Sequence, residues 1–457
     1  MCGWTRVRRS PLAQDRIWQK EEKRIRIQGD DMKLLVKGKI YTNKGLLDGS
    51  ILVQDGRIIR VAKNIREPVD KLLDYSGGRR IVLPGLIDLH VHMRDFELSY
   101  KEDFFTGTGA AAMGGFTVVA DMPNTRPRVN RPDVLKKREK VAKEKALVDY
   151  AFYYGVPDRE ADLVGGIEDL AMGFKIFMQH EFYTDKRRLT EKVLEFASKR
   201  EMLVVVHAEN PKFFVETEMG LSGLPQAEAS AIKDIAKLAL SYGFPLHVTH
   251  ISSAAGMREL LRWRGRVGIT VDTCPYYLLL NAKEALTKGA VAKVYPSIKS
   301  SKDAEILLRR LKEGKIDAIV SDHAPHPPEE KSDPRSASAG FPGLETTLTL
   351  LLTLVNNGVL ELRDVVRICA TNPAKILKLN EIGSIDKGKI GNFTVVDLHR
   401  RATINPKAFV SRGKCSPFEG KKVEGMPVAT IVRGEPVMLD GELVATAGWG
   451  KNVKTYR

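Results

Sequence analysis

The sequence predicts an α/β protein, a (β/α)8 TIM barrel with a small composite β domain formed by both chain ends. Apolar strand-like runs alternate with helix-length segments through the middle of the chain, which is typical of such a barrel. Short runs separated by turn signals occupy both ends instead. Unusual polar residues follow the central runs, where these barrels carry their catalytic residues. The 457 residues are enough for both parts.

Residues 1–31 are expected to be an N-terminal extension outside the fold. They contain basic residues but no apolar segment of the kind that a signal peptide requires. Acidic residues such as Glu21 and Asp30 also distinguish them from an organellar transit peptide. A strand-like run starts at Met32, so we expect the fold to begin there.

Residues 32–83 and 380–457 are predicted to form the composite β domain. The first segment consists of short alternating strands with turn signals at Asp48-Gly49, Asp55-Gly56 and Gly77-Gly78. The same pattern of short alternating strands and turn signals is found in the second segment, after a middle region with a different pattern. Two similar flanks of this kind favour one β domain assembled from both chain ends.

Residues 84–379 are predicted to form the barrel. Helix-length segments such as 191–199 and 229–241 separate eight apolar runs. These predicted strands are 86–91, 117–121, 149–155, 174–177, 203–206, 245–249, 269–272 and 318–320.

Composition excludes several classes of protein. The chain is 43% hydrophobic and 28% charged, and no run reaches the ~20 apolar residues of a membrane span. The net charge is +16, but basic residues are spread along the chain among acidic ones, so we expect neither nucleic acid nor membrane as a partner. The four cysteines form no C-x-x-C pair, which argues against a disulfide framework and fits a cytoplasmic protein.

Seven of the nine histidines fall in three places, each at the end of an apolar run. These are His90 and His92; His207, His247 and His250; and His323 and His326. Because His90 and His92 are two residues apart on a strand, their side chains point to the same face and could bind one ion. The alternative is a pair of buried histidines that are hydrogen-bonded within the core.

Further ligand types at the other strand ends favour a metal site. His207, His250 and Asp322 each end an apolar run. Imidazole and carboxylate without thiolate suit zinc and related divalent ions. Four histidines and one aspartate exceed the ligands of one tetrahedral zinc, so the sequence predicts two metals.

Lys175 is a candidate for the bridging anion that two neighbouring cations require. It lies within an apolar predicted strand, where a bare ammonium is costly. Addition of CO2 to its amine would give a carbamate, which is a bidentate oxygen ligand. On the residues alone, a lysine paired with a buried carboxylate explains the position equally well.

Six segments also carry a resemblance to a known family. They are Pro84-Gly-Leu-Ile-Asp-Leu-His-Val-His-Met-Arg-Asp, Asp121-Met-Pro-Asn-Thr, Gly173-Phe-Lys-Ile-Phe, His207-Ala-Glu-Asn, His247-Val-Thr-His and Ser321-Asp-His-Ala-Pro-His. These motifs resemble the cyclic amidohydrolases and, within that superfamily, the dihydroorotases. The resemblance runs from about residue 32 to the C-terminus and implies the same barrel with a composite β domain. It further implies reversible, zinc-dependent interconversion of dihydroorotate and N-carbamoyl-L-aspartate in de novo pyrimidine synthesis. A homo-oligomer is compatible with it.

Carried over by position, the resemblance implies two zinc ions bridged by N6-carboxylated Lys175. The implied ligands are His90, His92, Lys175 and Asp322 for one ion, and Lys175, His207 and His250 for the other. Asp322 would also be the catalytic base and acid. His247 would be structural or would support a ligand.

Arg94 is expected to distinguish a dihydroorotase from the related hydantoinases, because its guanidinium can grip a substrate carboxylate with two hydrogen bonds. His92, Asn124 and His326 are the other candidate substrate-binding residues. An ion pair with Asp95 or its neighbour Glu97 is the alternative for Arg94.

Two departures from the family pattern bear on specificity. Phe96 stands where the family usually has proline, and Tyr295 and Lys299 stand where asparagine and arginine are common. We therefore expect the pyrimidine-ring contacts to differ. The polar, glycine-containing segment 327–343 is expected to close over the site as a lid.

A hydantoinase/dihydropyrimidinase-like or allantoinase-like enzyme is the nearest alternative, because those enzymes share the metals. A non-catalytic paralogue would be expected to lose ligands, whereas this sequence has all six. A basic nucleic-acid binder would have to show steeply salt-dependent retention on DNA.

Overall fold

The computed structural model describes residues 32–456, so the predicted extension at residues 1–31 lies outside the described residues. Numbered β1 to β19 in chain order, the strands are Lys33–Thr42, Gly45–Gln54, Arg57–Ala62, Lys71–Asp74, Arg80–Pro84, Leu86–Val91, Phe116–Asp121, Asp149–Gly155, Ala171–Phe177, Leu203–His207, Phe214–Thr217, Gly220–Gly223, Leu246–Val248, Ile269–Thr273, Ala318–Ile319, Phe393–Thr403, Lys422–Val432, Glu435–Leu439 and Glu442–Leu443.

The helices of the same region are numbered α1 to α13. They are Phe104–Met113, Pro132–Lys145, Ile167–Leu170, Met178–Glu181, Arg187–Lys199, Pro225–Tyr242, Ala254–Trp263, Pro275–Leu279, Ala282–Lys288, Ser301–Lys312, Leu344–Asn356, Leu362–Val366 and Asn372–Ile376. A π-helical turn, Arg367–Thr371, joins the last two. Short 3-10 turns occur at Phe96–Leu98, Glu160–Asp162, Pro211–Phe213, Gly289–Ala292, Pro328–Lys331, Pro406–Ala408 and Val453–Thr455.

Eight parallel strands form the barrel that the sequence predicts. Their order is β6-β7-β8-β9-β10-β13-β14-β15, and each of the eight predicted runs overlaps one of them. Between β15 and β6 the ring is completed by a bridge from Val91 to His323, with the His92 amide donating to the His323 carbonyl at 2.8 Å. Every residue of β6, β7, β8 and β10 is buried, as expected of strands covered on both faces.

The helices that cover the barrel follow local sequence signals. Helix α6 begins at a proline and ends at Tyr242, and Gly243 follows it with a φ of +81°, the left-handed conformation that glycine adopts easily. The predicted helical segments 191–199 and 229–241 lie within α5 and α6. Helices and strands enclose one large apolar core.

A nine-stranded sheet is built from both chain ends, which confirms the predicted composite β domain. The order is β19-β18-β17-β16-β5-β1-β2-β3, with β4 paired to β1. The strand ladder that joins the two ends is the antiparallel pair β5–β16. The C-terminal segment then returns to the barrel, where Arg433 and Tyr456 both bond the buried Asp149 of β8.

The turn predicted at Asp48-Gly49 is wrong. Gly49 lies inside β2, opposite Gly38 of β1, in an uninterrupted antiparallel ladder. The chain reverses earlier, at residues 43–44, so that the ladder can continue past the Asp-Gly pair. The turns at Asp55-Gly56 and Gly77-Gly78 are present. Within the described residues no helix is long and apolar enough to cross a membrane.

Candidate active site

A cavity of 500 Å³ opens at the carboxyl ends of the barrel strands. Eight of the nine predicted site residues line it: His90, His92, Arg94, Asn124, His207, His250, Asp322 and His326. The ninth, Lys175, is completely buried on β9. The barrel therefore gathers residues from six strands or the loops that follow them, as the position of catalytic residues in such barrels requires.

His90, His92 and Asp322 form one compact group. The Nε2 atoms of the two histidines lie 3.5 and 3.4 Å from the same Asp322 oxygen, Oδ1. All three side chains are at least nine-tenths buried. Ligand atoms of these residues lie within 4.8 Å of one another, close enough to hold a single ion.

His207 and His250 lie next to this group. Their ring centroids are 4.6 Å apart, and the His250 ring lies 5.1 Å from that of His90. Glu209 bonds the Nε2 atom of His207 at 2.7 Å, so Nδ1 is the ring nitrogen that could bind a metal. The five predicted histidine and aspartate ligands are thus brought together.

Lys175 is buried close enough to His90 and His250 for its charge to act on both, and its amine has no polar partner among the described residues. Among residues 32–456 its Nζ atom makes no hydrogen bond and no ion pair, so pairing with a carboxylate does not account for its burial. Burial lowers the pKa of Lys175 to about 7, although Asp322 and Asp272 oppose the shift. A neutral amine is the form that can add CO2.

His90, His92 and His250 are held neutral. Burial, followed for His90 by the Lys175 charge and for His250 by His207, lowers the pKa of each imidazole well below its ordinary value. Burial also lowers the pKa of His92. Neutral imidazole is the form that binds metal.

These residues fit a pair of divalent cations. Nitrogen and oxygen donors are present without thiolate, as zinc and related ions accept. Buried polar atoms are rarely left without partners, yet Lys175 Nζ, His250 Nδ1 and Glu209 Oε1 have none in the described part of the chain. A bound cation would satisfy His250 Nδ1, and a carbamate formed on Lys175 Nζ would supply oxygen ligands for one.

Arg94 lies buried in the same cavity without a carboxylate partner. Its Nη2 atom is 3.1 Å from His326 Nε2, its Nε atom has no hydrogen-bond partner, and no ion pair to it exists in residues 32–456. The alternative, an ion pair with Asp95 or Glu97, is not formed in the described residues, and the Asp95 carboxylate lies 3.0 Å from Lys145 instead. A buried, unpaired guanidinium is a binding site for an anion.

His326 and Asn124 complete the lining near Arg94. Burial and the Arg94 charge lower the pKa of His326 to about 3, so the ring is neutral and donates from Nδ1 to Glu330 at 2.7 Å. Its Nε2 atom can then accept from Arg94. Asn124 Oδ1 lies 2.7 Å from His92 Nδ1, which leaves the amide nitrogen of Asn124 for another acceptor.

Three further residues of the site were not predicted from the sequence. Tyr276 donates from its hydroxyl to Asp322 Oδ2 at 2.8 Å, and Glu209 bonds His207. Asp272 lies beneath His250 and bonds His247, whose expected supporting role agrees with this contact. A carboxylate at the end of the apolar run 269–272 was a visible signal for Asp272, whereas nothing local marks Tyr276.

The residues that depart from the family pattern occupy different places. Tyr295 is 40% exposed and lies on the cavity wall. Lys299 does not line the cavity but donates to the Gly223 carbonyl at 2.5 Å. Segment 327–343 covers one side of the cavity with Ser338, Ala339 and Gly340.

A parallel barrel that gathers histidines, a carboxylate and a buried lysine at its strand ends is the arrangement of a metal-dependent hydrolase. The chain belongs to the amidohydrolase family, whose family model matches residues 81–437, and within it to the dihydroorotases. It is 37% identical over 422 residues to the dihydroorotase of Pyrococcus abyssi, which covers 90% of this chain and 96% of that protein. A dihydroorotase of Geobacter sp. is 35% identical over 439 residues, covering 90% of this chain and all of that protein.

Solved structures show the same fold in a sister group. The L-hydantoinase (dihydropyrimidinase) from Arthrobacter aurescens superimposes with a TM-score of 0.85 at 28% identity, covering 91% of this chain and 98% of that one. Together these similarities make the chain a cyclic amide hydrolase.

Proposed function

We propose that the chain is a dihydroorotase, which interconverts dihydroorotate and N-carbamoyl-L-aspartate in de novo pyrimidine synthesis. The observation that carries this proposal is the buried guanidinium of Arg94, which has no carboxylate partner in the described residues and faces the same cavity as the histidine and aspartate cluster. Dihydroorotate has the carboxylate that such a group would bind. Simple hydantoins lack it.

Arg94, Asn124 and His326 would hold the substrate carboxylate. The guanidinium supplies a planar fork that matches both carboxylate oxygens. The free amide nitrogen of Asn124 adds a further donor, while neutral His326 keeps Arg94 in place through its Nε2 atom. Fixing the carboxylate would orient the ring amide relative to the cluster.

His90, His92, Lys175, His207, His250 and Asp322 would hold two zinc ions, with Lys175 as its N6-carboxylate between them. When bound, the ions polarise the ring carbonyl and lower the pKa of water to about 7. The supporting observations are the neutral imidazoles of His90, His92 and His250 and the buried Lys175 amine, which has no hydrogen-bond or ion-pair partner in residues 32–456.

Asp322 would move the proton. Its Oδ1 atom faces His90 and His92, while Tyr276 holds Oδ2 through the hydroxyl hydrogen bond. In the hydrolytic direction Asp322 would accept a proton from the attacking water and deliver it to the departing ring nitrogen. Tyr276 keeps the carboxylate from rotating away during this transfer.

A hydantoinase-like activity is the second candidate. It is favoured by the similarity to solved hydantoinase structures and by Tyr295, an aromatic residue on the cavity wall. That activity requires no partner for Arg94, so it leaves the buried guanidinium unexplained.

The purified enzyme should be assayed side by side with dihydroorotate, unsubstituted hydantoin and allantoin. A dihydroorotase should hydrolyse dihydroorotate with a kcat/KM at least a hundredfold above the other two. Equal or better hydrolysis of hydantoin would reject the proposal in favour of the second candidate.

We further infer a cytoplasmic enzyme, because the cysteines are dispersed without a C-x-x-C pair. The proposed domain boundaries place the barrel at 84–379 and the β domain at 32–83 with 380–457. A homo-oligomer is compatible with this organisation, and the mass in solution would determine it.

A further inference from the structure

Thr249 connects a proposed metal ligand to a buried carboxylate that the proposed reaction does not use. Its hydroxyl oxygen lies 2.6 Å from Nδ1 of His90 and 3.1 Å from each oxygen of Asp272. Thr249, His90 and Asp272 are 2%, 1% and 0% exposed. They come from three different strands or strand ends of the barrel, so the fold itself brings them together.

The direction of these hydrogen bonds follows from the donors that each group possesses. Asp272 accepts from the His250 backbone amide at 2.5 Å and bonds His247 Nε2 at 2.7 Å, so its carboxylate acts as an acceptor. The Thr249 hydroxyl has a single hydrogen, which it gives to Asp272. Its oxygen must then accept from His90, and Nδ1 of His90 must therefore carry the proton.

This assignment leaves the lone pair of His90 on Nε2, the atom that lies 3.5 Å from Asp322 Oδ1. The hydrogen bonds of His92 independently indicate the same tautomer. Nδ1 of His92 lies 2.7 Å from the side-chain oxygen Oδ1 of Asn124, and Nε2 of His92 lies 3.4 Å from the same Asp322 oxygen. Both imidazoles thus aim a lone pair at one point.

We infer that Thr249 and Asp272 are positioning residues, which fix His90 in the tautomer that can bind metal through Nε2. The inference rests on the metal site of the proposed function, but not on its substrate. Asp272 also holds the His250 backbone, where φ is +46°, so one carboxylate orients two ligands. Without Thr249, the Nε2-protonated tautomer of His90 becomes accessible and competes with metal binding.

Thr249→Val tests the inference, because valine keeps the shape of threonine and removes only the hydroxyl. Starting from the zinc-loaded enzyme, zinc affinity is measured by competition with a chromogenic chelator. Thr249→Val should lose about 10- to 100-fold in affinity, the usual effect of removing a group that supports a ligand. Thr249→Ser, which keeps the hydroxyl, should stay close to the wild type.

Thr117→Val is the matched control. Thr117 is equally buried and bonds the Leu86 carbonyl at 3.1 Å, at the opposite end of the barrel. It should lose some thermal stability but no zinc affinity. Loss of affinity in Thr117→Val, or an equal loss in Thr249→Ser, would overturn the inference, as would unchanged affinity in Thr249→Val.

A second measurement remains decisive if Thr249→Val does not fold. In metal-free wild-type protein with 15N-labelled histidine, the His90 signals, assigned with His90→Asn, should show protonated Nδ1 and unprotonated Nε2. Protonation at Nε2 would overturn the inference. Neither measurement involves substrate, so a failed dihydroorotate assay would not affect the result.

Discussion

Arg94 binds no carboxylate in the described part of the protein, although its guanidinium is almost completely buried. Two charge-assisted hydrogen bonds to a substrate carboxylate are worth roughly 1.5 to 3 kcal/mol each. At ~1.4 kcal/mol per decade, Arg94→Ala should lower kcat/KM for dihydroorotate about a hundredfold or more. Arg94→Lys should recover only part of this loss, since a point charge cannot reproduce the fork.

The control for Arg94 is a ring substrate without the carboxylate. Steady-state kinetics with such an analogue should barely change in Arg94→Ala, because the guanidinium has nothing to hold there. An equal loss with both substrates would make Arg94 structural, in keeping with the bond that its carbonyl accepts from Arg138 at 2.7 Å.

Asp322→Asn should reduce kcat by about 10² to 10⁴, the usual range for a positioned general acid–base. The fold should persist, because the side chain lies at the rim of the barrel and the apolar core is elsewhere. Single-turnover rates and far-UV circular dichroism measure both effects. Near-normal turnover would mean that another group transfers the proton, and His326 would be the first residue to test.

Lys175→Ala should lose both metal and activity. The buried amine has no hydrogen-bond or ion-pair partner among residues 32–456 in its unmodified form, and its lowered pKa of about 7 favours the neutral amine that adds CO2. Elemental analysis should find less than half of the wild-type zinc, and added short carboxylic acids should restore part of the activity. Full zinc content in the variant would exclude a bridging carbamate.

The histidine and aspartate ligands that the sequence predicted share one property: each is a polar residue at the end of an apolar strand. His90, His207 and Asp322 were visible for this reason, because a strand buried on both faces has few polar positions. Tyr276 and Thr249 were not, since tyrosine and threonine are ordinary residues in such places. Their roles depend on which atoms the barrel brings within hydrogen-bond distance.

At the scale of elements, segment 327–343 is anchored by buried lysines. Lys331 donates to the carbonyls of Ser338 and Gly340, at 2.9 Å each, and Lys293 donates to that of Pro334 at 3.0 Å. Glu330, in turn, bonds Lys101, His326 and Ser338. The sequence pattern indicated a polar loop near the site, but it could not reveal that lysines hold the loop in place.

Lys331→Met should loosen this segment and raise KM for dihydroorotate about tenfold, with a smaller effect on kcat. The expected cause is loss of the hydrogen bonds that keep Ser338 and Gly340 against the cavity, which leaves their carbonyls unsatisfied. Limited proteolysis should cut the variant within 327–343 faster than the wild type. Lys299→Met, another buried lysine that bonds a carbonyl but not this segment, should leave both properties unchanged.

At the scale of the whole molecule, the flanks of the chain could be recognised as β structure because their alternation differs from that of the barrel. The register could not be predicted, as the misplaced turn at Asp48-Gly49 shows. An Asp-Gly pair is a strong local turn signal, but the ladder between β1 and β2 outweighs it with cross-strand hydrogen bonds. Local chemistry decides a turn only where long-range pairing permits it.

Removal of metal should lower the melting temperature without unfolding the protein. A cation present at 100 times its Kd adds about 2.7 kcal/mol to the stability of the folded state. For a chain of this size that corresponds to roughly 3 °C. The large apolar core that the barrel shares with its helices does not depend on the ligands, and the neutral imidazoles of His90 and His250 can remain buried without a cation.

Calorimetry of chelator-treated enzyme at one scan rate, with and without added zinc, measures this shift. Lys175→Ala supplies the control: with the bridging group absent, zinc should raise its melting temperature by less than half of the wild-type shift. Two results would contradict the prediction. Loss of the circular dichroism spectrum on chelation would make the metal a structural requirement for the fold, and an equal shift in Lys175→Ala would place the stabilising cation away from Lys175.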